Sequence, residues 1–122
     1  MATKAKNIDL EQIRTCCLQL KGTTESVKWG HDLVFSIGEK MYCVVGLDQS
    51  PTSASFKASD DSFDELTARE GFKPAPYLAK HKWIWLIDIN LLGEKQWLKY
   101  LQDSYTLVEN KLPKAQQKRL GL

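Results

Sequence analysis

Histidine and cysteine are scarce in this sequence, which limits the chemistry that its side chains can perform. The 122 residues include two histidines and three cysteines. No Cys-x-x-Cys or His-x-x-x-His pair is present, so the ligand spacing of a zinc site is missing. Glycine-rich phosphate-binding loops and the Gly-x-Ser-x-Gly nucleophile motif are missing too. We therefore expect a binding protein with no catalytic residues, no metal site and no cofactor.

The three cysteines are expected to be reduced packing residues. Cys16 and Cys17 are neighbours within a helical pattern, and Cys43 lies inside an apolar strand pattern. An odd number of cysteines without paired spacing does not form a disulfide framework. Residues 1–7 lack the apolar centre of a signal peptide, and no apolar run approaches the roughly 20 residues of a membrane-spanning helix. These absences predict a cytoplasmic protein.

Length and composition indicate a single domain over residues 1–122, with a core from about residue 8 to residue 120. The apolar fraction of 43% and the charged fraction of 26% are ordinary for globular proteins. The net charge of +2 conceals an uneven distribution. Residues 31–70 hold three basic and eight acidic side chains, whereas residues 71–122 hold nine basic and four acidic ones. This asymmetry can give a positive face that suits an anionic partner, or simply a solvated surface of mixed sign.

The spacing of apolar residues in the first half predicts a helix followed by an antiparallel meander. Residues 8–21 have the three- and four-residue spacing of an amphipathic helix, with Asn7 as its N-cap. From residue 26 the period changes to two, with glycine-containing turns between short strands. The predicted strands cover residues 26–29, 33–37, 41–47 and 54–57.

The second half predicts two more helices and one strong strand. Ser59 is the expected N-cap of a helix that ends at Gly71, and residues 73–76 form a rigid extended connection. Residues 83–89 are a strand, and residues 93–110 are a long closing helix, followed by a short basic turn. The apolar stripe of the closing helix comprises Trp97, Leu98, Leu101, Tyr105, Val108 and Leu112. The expected fold is α+β, with a single antiparallel sheet covered by the N- and C-terminal helices.

One segment, residues 74–85, combines cations with aromatic rings. Its consecutive cations are Lys80, His81 and Lys82, and its rings belong to Tyr77, Trp83 and Trp85. Lysines release counterions at phosphates and aromatic rings stack on bases, so this combination suits a nucleic-acid contact. The alternative is structural, because two tryptophans that are two residues apart on a strand can both face the core.

Four short segments occur in a characteristic order along the chain. They are Glu25-Ser-Val-Lys-Trp-Gly30, Val34-Phe-Ser-Ile-Gly-Glu-Lys-Met-Tyr42, Tyr77-Leu-Ala-Lys-His-Lys-Trp83, and Ser104-Tyr-Thr-Leu-Val108 with Lys111-Leu-Pro-Lys114. Together they resemble the MmcQ/YjbR family. Members of that family often carry Asn-Lys-x-His-Trp where residues 79–83 of this chain read Ala-Lys-His-Lys-Trp, so the asparagine and histidine are not matched.

The resemblance implies a CyaY-like, or secretion-chaperone-like, α+β fold. It also implies DNA binding through a proposed double wing of β-hairpins. The likeness of this fold to frataxin-type proteins raises iron binding, which needs a ridge of acids on the first helix. That helix offers only Asp9 and Glu11, so we expect no iron site.

The resulting hypothesis is a non-enzymatic nucleic-acid-binding module whose partner is DNA. Lys40 in a hairpin turn, Lys57 at a strand end, and Lys80 with Lys82 are expected to contact phosphates, and Tyr77 to supply a stacking surface. Nothing predicts base readout, since no arginine or asparagine lies on an obvious recognition helix. The alternative is a protein-interaction or homodimerisation module that uses an open sheet edge or the exposed part of the aromatic strand.

Overall fold

The computed structural model describes residues 8–48, 50–76 and 78–122, which form a six-stranded sheet and four α-helices. The helices are α1 (Leu10–Leu18), α2 (Asp60–Thr67), α3 (Glu94–Glu109) and α4 (Lys114–Arg119). The strands are β1 (Thr23–Lys28), β2 (Asp32–Ile37), β3 (Lys40–Gly46), β4 (Ala54–Lys57), β5 (Phe72–Pro74) and β6 (Trp83–Leu86). All pairings are antiparallel. The predicted α+β class with a single antiparallel sheet is confirmed.

The strands are ordered β1-β2-β3-β4-β6-β5 across the sheet. The first four follow the predicted meander, and β6 then pairs with β4 while β5 forms the edge. The sequence predicts only an extended connection at residues 73–76, but Phe72 pairs with Leu86 and Pro74 with Ile84. Proline is tolerated there because an edge strand has one side without ladder hydrogen bonds.

Capping side chains determine where α1 and α2 begin. The N-cap of α1 is Asp9, whose carboxylate accepts a hydrogen bond from the Gln12 amide at 2.9 Å, while the Gln12 side chain accepts one from the Asp9 amide at 2.9 Å. This reciprocal capping box starts the helix at Leu10, and the predicted cap, Asn7, lies outside the described residues. Ser59 caps α2 as predicted, by accepting a hydrogen bond from the Ser62 amide at 3.2 Å.

Helix α3 supplies most of the helical side of the core. It packs across β2, β3 and β4, and α1 packs against α3 and β1. Its buried stripe comprises Trp97, Tyr100, Leu101, Ser104, Tyr105 and Val108. Leu98, predicted to belong to this stripe, is 48% exposed, because adjacent residues point about 100° apart around a helix of 3.6 residues per turn.

The cysteines lie where packing residues are expected. Cys17 and Cys43 are fully buried and Cys16 is half-buried, and all three thiols are free. The pKa of Cys43 is raised because its thiol is hydrogen-bonded to that of Cys17 and is buried. Burial also raises the pKa of Cys16, so neither Cys16 nor Cys43 gains the thiolate character of a reactive cysteine from its surroundings. Within the described part of the chain, the helices are too short or too polar to span a membrane.

Candidate nucleic-acid interface

Three strand ends that carry or adjoin lysines meet at one end of the sheet. Strand β4 is antiparallel to both β3 and β6, so the end of β4 lies beside the beginnings of the other two. Lys57 ends β4, Lys40 begins β3, and Lys82 immediately precedes β6. The antiparallel register therefore gathers lysines that are far apart in the sequence.

The C-terminal part of the chain adds a further lysine to this end of the sheet. The Ser104 hydroxyl of α3 accepts a hydrogen bond from the Lys57 backbone amide at 3.0 Å and donates one to the Tyr42 carbonyl at 2.6 Å. These bonds hold α3 across the ends of β3 and β4. Lys111 follows the last turn of that helix and lies beside Lys57.

A two-residue turn between β2 and β3 positions Lys40. Gly38 and Glu39 both have positive φ, at 57° and 69°, as a type I′ hairpin turn requires. A Cβ on Gly38 would lie 2.8 Å from the Gln116 side-chain nitrogen, so a larger residue would push that side chain aside. That nitrogen donates a hydrogen bond to the Gly38 carbonyl at 3.0 Å. The hairpin tip is thus fixed to α4, and Lys40 starts β3 directly after it.

The lysines line two adjoining depressions in the surface. The first depression measures about 390 Å³ and the second about 430 Å³. Both include Lys57, His81 and Lys111; the first adds Lys80 and Lys82, and the second adds Lys40. These six residues, called the basic cluster below, are Lys40, Lys57, Lys80, His81, Lys82 and Lys111. The acids that line the same depressions are Asp60 in the first and Glu39 in the second, so the lysines outnumber them.

All four lysines predicted from the sequence belong to the basic cluster. Lys111 was not among the residues predicted to contact phosphates. A signal for it was present, because cations are favoured near the C-terminus of a helix, where they interact with the helix dipole. The lysine also begins the Lys-Leu-Pro-Lys segment on which the family resemblance partly rests. Tyr77, the predicted stacking residue, lies outside the described residues.

Lys57 is the centre of the basic cluster. Its ammonium donates a hydrogen bond to the His81 carbonyl at 2.7 Å, and its side chain is half-buried. Burial lowers the pKa of Lys57 and the nearby Lys111 lowers it further, while Asp60 acts in the opposite direction. An anion placed between the two lysines would relieve their repulsion, which is the electrostatic condition of an anion-binding site.

Lys82 differs from the other lysines because it is held against α2. Its ammonium lies 4.9 Å from the centre of the Phe63 ring and 4.0 Å from an Asp60 carboxylate oxygen. Its backbone has a φ of 64°, a left-handed conformation that costs a non-glycine residue roughly 1–2 kcal/mol. Asp60 therefore compensates part of the charge of Lys82, whereas the Lys80 side chain, on the preceding 3₁₀ turn, is exposed.

The two strand tryptophans do not pack beneath the helices. The ring of Phe56 contacts Trp97 of α3 at 5.6 Å between centroids, so its fully buried cross-strand partner Ile84 shares the α3 face. Because side chains alternate along a strand, Trp83 and Trp85 point to the other face. Trp83 is nevertheless only 4% exposed and lines the second depression, whereas the half-buried Trp85 lies under the Lys73 ammonium, 5.4 Å from its ring.

The basic cluster is a cationic surface that lacks the side chains of a metal site. Among the described residues, no group of three or more histidine, cysteine or carboxylate side chains is arranged to hold a metal ion. His31 contacts Asp32 through its ring nitrogen at 3.1 Å, at the opposite end of β2 from the basic cluster. The arrangement is therefore suited to binding anions by charge and hydrogen bonds.

Comparison with known proteins identifies the family. A model of the YjbR family matches residues 18–107. This chain belongs to the YjbR family. The resemblance found in its sequence motifs is confirmed, and four of the five lysines of the basic cluster lie within the matched range, with Lys111 just beyond it. No curated protein matches the chain.

Solved structures of similar proteins share the fold of this YjbR-family chain. Deinococcus radiodurans protein DR2400, which carries a DUF419 domain, aligns with a TM-score of 0.83 and 25% identity over 100% of this chain and 93% of its own. A Pseudomonas syringae protein aligns with a TM-score of 0.67 and 19% identity over 83% of this chain and 99% of its own. The second likeness is one of fold alone.

Proposed function

We propose that this YjbR-family protein is a non-enzymatic nucleic-acid-binding module whose basic cluster contacts phosphates. The main support for the proposal is that lysines from distant parts of the chain meet at one end of the sheet. The lysines come from the start of β3, the end of β4, the segment that leads into β6 and the segment after α3. They line two depressions that share Lys57 and Lys111. Lysines that are scattered over a solvated surface avoid one another, whereas Lys57 is half-buried beside Lys111.

The chemistry of the basic cluster favours binding that does not depend on sequence. Lysine ammonium groups attract phosphates as point charges, whereas base readout uses bidentate arginine, asparagine or glutamine. The described lining residues of the two depressions include none of these three residue types. We therefore expect the protein to bind unrelated sequences with similar affinity.

The proposal is tested by titrating fluorescently labelled oligonucleotides of unrelated sequence with the unmodified protein at several salt concentrations. If all five lysines contact phosphates, log affinity should fall with log salt with a slope of up to about −4.5 for duplex DNA, or about −3.5 for single strands. Fluorescence anisotropy gives both the affinity and the slope. Absence of binding at low salt would contradict the proposal.

The lowered pKa of Lys57 predicts that binding is linked to proton uptake. A phosphate beside Lys57 favours its charged form and raises its pKa, so at alkaline pH the complex should take up protons. Isothermal titration calorimetry in two buffers of different ionisation enthalpy measures this uptake. A Lys57→Arg variant should lose it, because arginine stays charged throughout, while the matched Lys40→Arg variant should keep it. Equal heats in both buffers for the unmodified protein would show that no phosphate approaches Lys57.

A second candidate function is protein interaction through the hairpin between β1 and β2. At this far end of the sheet Val27 is 59% exposed and Trp29 is 62% exposed. Trp29 has a φ of 55°, which is uncommon for a bulky residue. Exposed tryptophans are frequent anchors of protein interfaces. This end becomes the better-supported contact surface if the unmodified protein fails to bind nucleic acid at low salt.

A further inference from the structure

Apolar side chains lie among the lysines in both depressions of the basic cluster. Half-buried Leu107 lines the first depression, and half-buried Met41 lines the second beside the nearly buried Trp83 and Val108. Phosphates present charged oxygen atoms, so apolar side chains add nothing to a surface that contacts phosphates alone. The pairing of one half-buried apolar side chain with lysines, found twice in adjoining sites, suits a ligand that is both anionic and apolar.

A nucleotide in a single strand has both properties. Its phosphate is anionic, and the face of its base is free to rest on an apolar side chain. In a duplex the base faces are stacked inside the helix, and exposing one costs a few kcal/mol. Depressions of about 390 and 430 Å³ fall at the small end of the range for ligand sites, which suits one base with its sugar in each.

We infer that the basic cluster takes single-stranded nucleic acid, with one nucleotide in each depression. The residues common to both depressions, Lys57, His81 and Lys111, then face the phosphate that joins the two nucleotides. Lys80 and Lys40 contact the phosphates on either side. This inference rests on the proposed function and adds the class of nucleic acid that the site prefers.

The test compares a labelled 12-nucleotide oligothymidylate with a duplex of the same length at the same salt concentration. The unmodified protein should bind the single strand at least about tenfold more tightly, since only the single strand brings apolar base surface out of water. Tighter or equal binding of the duplex, with a normal salt slope, would overturn the single-strand preference and leave the proposed function standing. Failure to bind either probe would overturn both.

A pair of substitutions tests the apolar contacts separately from the charges. The double variant Leu107→Asn/Met41→Gln should bind the single strand about tenfold more weakly, with little change in duplex affinity or in the salt slope. The matched control is Leu98→Asn, on the same helix α3, because Leu98 is 48% exposed and lies beside α1. Unchanged single-strand affinity in a folded double variant would refute base contacts in the depressions.

Photochemical crosslinking gives a result that does not depend on the folding of a variant. Oligothymidylate that contains 4-thiothymidine is bound to the unmodified protein, irradiated and digested, and the crosslinked peptides are identified by mass spectrometry. Crosslinks at Met41 or at residues 107–108 are expected. Crosslinks confined to surfaces outside the two depressions would overturn the inference.

Discussion

Replacement of Trp97 by alanine should lower the free energy of unfolding by about 3–5 kcal/mol. Trp97 is fully buried, and its ring lies edge-on to Phe56 with 5.6 Å between centroids. Alanine would leave a cavity between α3 and the sheet, because close-packed surroundings relax only partly around a missing side chain. Urea unfolding followed by far-UV circular dichroism measures the loss.

A hydrogen bond should move the cost of Trp97→Ala towards the upper end of that range. The indole nitrogen donates to the Ile89 carbonyl at 2.7 Å. Ile89 begins the 3₁₀ turn that joins β6 to α3, and its side chain is buried. Alanine removes the donor, and the Ile89 carbonyl keeps only the longer hydrogen bond from the Leu92 amide at 3.4 Å. The loss of one buried hydrogen bond adds about 0.5–1.5 kcal/mol.

The adjacent residue provides a matched control. Leu98 lies on the same turn of α3 but is 48% exposed, so Leu98→Ala should cost less than about 1 kcal/mol. If Trp97→Ala also cost less than that, the stripe of α3 would have to face solvent or a partner rather than the sheet.

Local signals in the sequence predicted the helices and the meander. Helix α3 was predicted from the apolar stripe between Trp97 and Val108, because the residues on one face of a helix repeat with the helical period. The start of α2 was predicted from Ser59, which precedes two aspartates. The first four strands were predicted from a period of two. Glycine-containing turns separate the first three, and a longer segment that contains Pro51 precedes the fourth. Asn7 and Asp9 were both possible N-caps of α1. Asp9 has Gln12 three residues later and forms a capping box with it, so α1 begins after Asp9.

The position of β5 and β6 in the sheet could not be predicted from the sequence. For this reason strand β5 was not predicted and the end of β6 was placed too late. β5 has three residues, one of them proline, and it becomes a strand only because β6 offers a partner edge. The predicted strand over residues 83–89 ends at Leu86, since the Asp88 side chain accepts a hydrogen bond from the Asn90 amide at 2.9 Å and starts a turn. Pairing between distant segments depends on tertiary packing more than on local preference.

The sequence predicted which lysines belong to the candidate site, but it did not predict how they lie relative to one another. Lys40 and Lys57 were predicted from their places in a hairpin turn and at a strand end, and Lys80 and Lys82 from the aromatic residues around them. The structure brings these lysines together through the pairing of β4 with β3 and β6. Lys111 joins them because of where α3 crosses the sheet. The contact of Lys82 with α2 likewise depends on tertiary structure, and no local pattern indicates it.

The central claim is that the basic cluster binds phosphates, and the salt dependence of affinity tests it most directly. In the triple variant Lys40→Gln/Lys80→Gln/Lys111→Gln, three exposed lysines of the cluster lose their charge. The slope of log affinity against log salt should become shallower by up to about 2.7 for duplex DNA, or about 2.1 for single strands. The loss should be similar for unrelated sequences, and circular dichroism should show an unchanged fold.

The control is a second triple variant, Lys28→Gln/Lys73→Gln/Lys95→Gln, which removes the same charge from exposed lysines that line neither depression. The account predicts that its salt slope stays close to that of the unmodified protein, so that the slopes of the two triple variants differ by up to about 2.7 for duplex DNA or about 2.1 for single strands. Equal slopes for both would show that net charge, and not the basic cluster, governs binding. That result would contradict the account.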